Sequence, residues 1–169
     1  MPWTRDRSLA IGSRRVAIGM LVGMALVLGA AWLPPVLPEA WRTALMAAFR
    51  PVCHQFPARS PHVDGVQIAI CDRCTGIYSG LLLGGLAMTG WRHLGGRALR
   101  QGRLVLLGAL VPLGVDWMAP VLALWTNTPL TRAVTGTLFG AAAGAFVLDR
   151  LLRPSRSVTA PLSVQDGNA

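Results

Sequence analysis

Three cysteines and two of the three histidines of this chain fall within 22 residues: Cys53, His54, His62, Cys71 and Cys74. Thiolates and neutral imidazoles are the usual ligands of zinc and related ions. The C-x-x-C spacing of Cys71 and Cys74 lets two sulfurs point at one ion across a tight turn. Cys53 supplies a third sulfur, and His54 or His62 completes a tetrahedral set. Adjacent side chains diverge, so Cys53 and His54 are poorly placed to share an ion, and His62 is as good a fourth ligand as His54. The same residues suit thiol redox chemistry. Cys71 and Cys74 lie at the start of an apolar stretch, where a helix dipole and Arg73 would lower a thiol pKa. Cys53 is then a third thiol able to exchange with that pair, and a membrane quinone would be the electron acceptor. A third possibility is a non-enzymatic staple, metal or disulfide, that stabilises a transporter or partner-binding subunit.

The elements that hold these residues are greasy. The chain of 169 residues is 53% hydrophobic and 14% charged, with a mean hydropathy of +0.49. That balance is unusual for a water-soluble domain. Its net charge of +9 comes entirely from arginine. No basic helix with interleaved aromatics is present, so nucleic acid is not the expected partner; membrane lipid is. Four spans can be drawn, at about 16–33, 74–91, 104–125 and 131–149, separated by an outer loop at 34–73. The first follows Arg14 and Arg15 as a signal peptide would. The Pro34-Pro35-Val36-Leu37-Pro38 run after it is a poor cleavage site, and further spans follow, so it reads as a retained helix. Residues 1–153 then form a single membrane domain, and 154–169 a polar, disordered tail.

The arginines orient the spans. Those before the first span, between the second and third, and after the fourth number eleven; the remaining five lie on the other side. The positive-inside rule puts both termini in the cytoplasm and the cysteine loop outside the inner (cytoplasmic) membrane. Within that loop, 39–50 reads as an interfacial helix with Trp41, Leu45, Ala48 and Phe49 on one face.

Asp116 is the second anomaly, a carboxylate deep in the third span between Pro112 and Pro120. Such a group costs several kcal/mol unless it faces protein or water. Arg132, at the start of the fourth span, is the expected partner, directly or through Thr135. Asp116 and Arg132 are therefore the candidate catalytic pair: a proton acceptor, substrate anchor or polar floor beneath the metal. Glycines recur every fourth residue at Gly76, Gly80 and Gly84, and again at Gly136, Gly140 and Gly144. Two such stripes predict close packing of the second and fourth spans. Gln55, Arg59, Ser60 and Tyr78 are candidate pocket linings, Asp64 and Asp72 candidate orienting acids, and His93 a surface residue.

Together, Cys53-His54-Gln55 with Pro57 and Arg59-Ser60, Cys71-Asp72-Arg73-Cys74-Thr75-Gly76-Ile77-Tyr78 with Gly80, Asp116, and Arg132-x-x-Thr135-Gly136 with Phe139-Gly140 resemble an uncharacterised bacterial membrane family, domain of unknown function 2085. Members of that family often carry a polar residue shortly after the aspartate, where this chain has Pro120. The resemblance implies a small multi-span membrane protein with an outward cysteine-rich motif, and it supplies no reaction. The expected fold is an all-α integral membrane bundle of about four transmembrane helices with a cysteine-rich extracytoplasmic loop.

Overall fold

A computed structural model describes residues 3–94 and 101–153; the tail at 154–169 lies outside them. Five helices follow one another: α1 (Trp3–Ala31), α2 (Glu39–Phe49), α3 (Asp72–His93), α4 (Gly102–Val121) and α5 (Pro129–Leu151). A two-stranded hairpin, β1 (His62–Val63) and β2 (Val66–Gln67), and a single-turn 3-10 segment (Pro57–Arg59) fill the loop between α2 and α3, while another 3-10 turn (Pro34–Val36) joins α1 to α2. The hairpin turns on Asp64 and Gly65, both at positive φ (50° and 76°), the backbone that a two-residue hairpin loop demands.

Three helices are long and apolar enough to cross a bilayer: Gly12–Ala31 within α1, then α4 and α5. At 1.5 Å per residue each reaches about 30 Å or more, the thickness of the hydrocarbon layer. The stretch expected as the span 74–91 is α3, which matches them in length at 22 residues. Its glycines and its polar ends lower its hydropathy; its glycine face packs on α5 while Leu83, Leu86 and Trp91 stay exposed. Boundaries also move: α1 begins well before residue 16, and α4 stops at Val121. There Ala123 takes a positive φ of 52° and the Leu124 N–H returns to the Ala119 carbonyl at 3.0 Å.

The bundle is built around α3 and α5, whose interface is the most extensive in the molecule. They run parallel, so that Gly76 faces Ala133 and Thr137, Gly80 faces Thr137 and Gly140, and Gly84 faces Ala141. Reciprocally, Gly136 faces Arg73 and Ile77, Gly140 faces Ile77 and Leu81, and Gly144 faces Leu81 and Gly85. A methyl group at any of these six positions would overlap facing backbone, so the two stripes interlock as their spacing predicts. The offset between them is about 60 residues, and both ends of the interface keep it: Arg132 meets Asp72, and Arg92 meets the Leu152 carbonyl.

Helix α1 lies antiparallel to α3, with Ala17 and Leu21 near Met88, Gly85 and Leu148. Helix α4 packs on α5, also antiparallel, and brings Asp116 to the start of α3. One end of the bundle thus gathers the end of α1, the starts of α3 and α5, the end of α4, and the cysteine loop. A small core at that end joins Ala31, Phe49, Cys53, Ile68, Ala69 and Ile70. The loop is stitched to α1 by the Ala69 N–H, which donates to the Ala31 carbonyl at 2.9 Å.

Helix α2 corrects one expectation about its faces. Phe49 is buried, and Leu45 and Met46 pack against the loop core, but Trp41 and Ala48 point outward. Its Arg42 turns back to donate to the Pro34 and Leu37 carbonyls, each at 3.1 Å. The Pro34 carbonyl also accepts the Leu37 N–H at 3.3 Å, so the guanidinium adds a second donor to it and supplies one to the Leu37 carbonyl.

Candidate metal centre

Two separate pieces of chain converge on one point. Pro51 follows the end of α2 and the turn after it delivers Cys53, whose N–H donates to the Phe49 carbonyl at 3.0 Å. Strand β2 leads through the buried run Ile68-Ala69-Ile70 to Cys71, which sits at the N-cap of α3. Cys74 is one turn further on. The sulfurs of Cys53, Cys71 and Cys74 all lie within 4.8 Å of one another, and all three thiols are unbridged. Cys53 is 3% exposed; Cys71 and Cys74 are partly open.

Hydrogen bonding concentrates on Cys53. Its sulfur accepts the Cys71 N–H at 3.2 Å. The Cys71 thiol, and after it the Cys74 thiol, donate to it, and the Gln55 and Cys71 N–H groups add to them; against the opposing cost of burial, these donors hold the Cys53 thiol well below the usual thiol range. A cluster of three thiols thus readily loses its first proton, with the charge centred on Cys53.

Gln55 organises this arrangement in a way its sequence position does not announce. Its backbone is left-handed, at φ 53°, a conformation uncommon for a residue with a side chain. The side-chain amide donates to the Met46 and Ala69 carbonyls, both at 2.8 Å, tying α2 to the segment before Cys71. The Gln67 amide in turn donates to the Gln55 carbonyl at 2.7 Å. Strain in the backbone is therefore held by three hydrogen bonds beside the cysteine it positions.

The two residues between Cys71 and Cys74 are ionic struts. Arg73 Nη2 pairs with the Asp116 carboxylate of α4. Asp72 accepts from Arg132 Nη1 of α5 at 3.2 Å. Asp116 and Arg132, expected to pair with each other, are therefore each bound to a residue of the C-x-x-C turn instead. Parallel packing of α3 and α5 puts Asp72 and Arg132 level, which leaves Arg73 to reach the acid of α4. Asn127 joins the two pairs. Its amide nitrogen donates to the Asp116 carbonyl at 2.9 Å, and Arg132 donates to its side-chain oxygen at 3.0 Å and its carbonyl at 2.9 Å. Pro120 lacks the N–H that would have bonded the Asp116 carbonyl four residues earlier, and Asn127 fills that gap. Arg73 Nε is the one buried side-chain polar atom without a partner among the described residues.

The other expected residues are placed as follows. His54 and His62 are exposed, and the close group of ligand atoms contains the three sulfurs and neither ring. Tyr78, one turn below Cys74, packs against the loop core. Ser60 is buried and donates to the Phe56 carbonyl at 2.8 Å, while exposed Arg59 lies over the Phe56 ring at 5.8 Å. Asp64 and His93 are exposed, and the Thr135 hydroxyl bonds the Thr131 and Arg132 carbonyls of its own helix. Asn127 went unread in the sequence. Its one signal was a polar residue in a short turn between apolar helices, followed by the Thr128-Pro129 start of α5, where Thr128 and Thr131 cap each other.

A helical membrane protein with a three-thiol cluster at one end of its bundle, braced by crossed ion pairs, is the class defined by this fold and site. The chain belongs to the family described as Predicted membrane protein (DUF2085), which matches residues 53–146. That match starts at Cys53 and covers the thiols, the struts and both glycine stripes. An uncharacterized protein of Methanocaldococcus jannaschii, MJ1492, is 32% identical over 96 residues, which is 57% of this chain and 61% of that relative. The chain thus spans less than two thirds of the relative's length. No solved structure matches.

Proposed function

We propose that Cys53, Cys71 and Cys74 bind one metal ion, zinc by ligand type, at the extracytoplasmic rim of an inner-membrane protein whose termini lie in the cytoplasm. The observation that carries this reading is the mutual approach of three sulfurs to within 4.8 Å. Zinc–sulfur bonds of about 2.3 Å in a tetrahedron need sulfurs roughly 3.8 Å apart, so small side-chain rotations suffice. The donors are soft, and Phe49, Ile70 and Tyr78 pack in the core around buried Cys53, which favours retention. Three protein ligands leave a fourth position for water, a substrate, or His54 or His62 brought in by loop movement. With water there, the ion would generate a nucleophile near neutral pH, and a membrane-borne substrate is the natural one for a site at this depth. Asp116 and Arg132 form its polar floor through Arg73 and Asp72. The excess of arginine at the opposite end supports the orientation.

A second reading, thiol–disulfide exchange, is favoured by the same proximity together with the stabilised Cys53 thiolate. In that case Cys71 and Cys74 would cycle between thiol and disulfide, and a membrane quinone would take up the two electrons.

One measurement separates the two. Protein purified without reductant or chelator should hold about one zinc per chain, with no thiol reactive until a chelator removes the metal. Cys71→Ser should abolish the zinc. Metal-free protein carrying a reducible Cys71–Cys74 disulfide would decide for the second reading.

A further inference from the structure

The end of the bundle remote from the cysteines carries a one-signed field. Arg14 and Arg15 near the start of the apolar part of α1, Arg103 at the start of α4, and Arg150 near the end of α5 are all exposed there. Arg150 lies over the Phe146 ring at 5.0 Å, and none of the four has an acidic partner among the described residues. Asp149, one of the acids at this end, has a side chain that is 1% exposed. It is held between Arg153, at 2.6 Å, and Arg92, at 3.8 Å. Its charge is spent inside the bundle and does nothing to offset the surface. At the cysteine end exposed Arg50 and Arg59 are offset in number by exposed Glu39 and Asp64, Arg42 is turned onto backbone carbonyls, and Arg73 and Arg132 are engaged by the struts.

Beside these arginines the helices expose apolar side chains, among them Val16, Ile18, Leu104 and Val105. Charge and grease meet at a level where a helix leaves the hydrocarbon layer, so the guanidinium groups lie among headgroups. A guanidinium presents several N–H donors in a plane that matches phosphate oxygens, and it stays protonated throughout.

We propose that this end is a binding surface for anionic phospholipid, gathered by Arg14, Arg15, Arg103 and Arg150 around the bundle. Each arginine favours an anionic over a zwitterionic headgroup roughly fivefold when it lies at the membrane surface. The preference is electrostatic and weakens with salt.

The test uses the whole protein in detergent micelles, where orientation in a membrane is irrelevant. Phosphatidylglycerol and phosphatidylcholine are added in equal amounts, and the lipid retained is weighed by native mass spectrometry. Enrichment of phosphatidylglycerol that falls more than tenfold in Arg103→Gln/Arg150→Gln, falls likewise in Arg14→Gln/Arg15→Gln, and fades at high salt is expected. Equal retention of both lipids would overturn the proposal, as would an enrichment that survives both double variants. Displacement of the lipid by inorganic phosphate at matched concentration would also overturn it, since the surface would then be a phosphate site. All four positions are exposed, so the variants keep the fold, and an unchanged thermal unfolding curve by circular dichroism checks it independently.

Discussion

Removing Asp116 should cost more than removing both ends of its ion pair. In Asp116→Ala the Arg73 guanidinium, 19% exposed and already holding one unpartnered buried nitrogen, loses its counter-charge. Breaking a buried pair from one side costs about 3–5 kcal/mol. Asn127 keeps its bond to the Asp116 backbone carbonyl at 2.9 Å and loses only a long one to the carboxylate at 3.4 Å, so the loss is chiefly the stranded charge. Arg73→Met with Asp116→Leu removes both charges and refills the space, and should fall within about 1.5 kcal/mol of the parent, the usual range for volume-conserving changes. The two effects therefore should not add, with a coupling energy of at least about 2 kcal/mol. Thermal unfolding of the parent, Asp116→Leu, Arg73→Met and the double variant in one detergent, with Asp116→Ala beside them and followed by circular dichroism, measures the cycle. Because Arg73 lies inside the C-x-x-C turn, the same proteins should differ in metal affinity, with Asp116→Ala weakest. Additive losses, or a double variant as unstable as Asp116→Ala, would refute the assignment of Arg73 as the partner of Asp116.

Other perturbations reach the remaining parts of the molecule. Gly80→Leu or Gly140→Val pushes a side chain into facing backbone and should destabilise by about 1–3 kcal/mol or more, whereas Gly23→Ala on α1, with nothing within 4 Å, should be neutral in the same unfolding assay. Gln55→Ala keeps the positive φ but loses the two hydrogen bonds that hold it, and should lower stability by about 2–3 kcal/mol; chelator competition should show metal affinity down at least tenfold, in step with the misplacement of Cys53. In metal-free protein, iodoacetamide should modify Cys71 or Cys74 before Cys53, since burial outweighs the ready ionisation of Cys53; peptide mass mapping reads the order. Metal binding should weaken as pH falls, because protons compete for the thiolates, and a titration of zinc release between neutral pH and pH 4 checks the direction.

Much of the architecture is written in local chemistry. Runs of apolar residues longer than a bilayer needs mark α1, α4 and α5 without any knowledge of neighbours. Glycine at every fourth position on two helices leaves a groove that one partner fits best, the other stripe, so the α3–α5 interface was legible too. Clustering of all three cysteines between two spans located the candidate site, since a short loop confines its ends. What the chain could not declare was the pairing of charges. Asp72, Arg73, Asp116 and Arg132 allow two complementary arrangements. Sequence favours Asp116 with Arg132, because it cannot say how close α4 stands to the start of α3. Parallel packing sets Asp72 opposite Arg132, and the second pair follows. Asn127, and the bridging role of Gln55 beyond a pocket lining, were hidden for a similar reason: each serves groups distant in sequence, a proline-orphaned carbonyl in one case and the Met46 and Ala69 carbonyls in the other. Residue type and spacing fixed which groups are available and which helices form. The relative height of the helices, a property of side-chain interlock over the whole bundle, decided which of those groups meet.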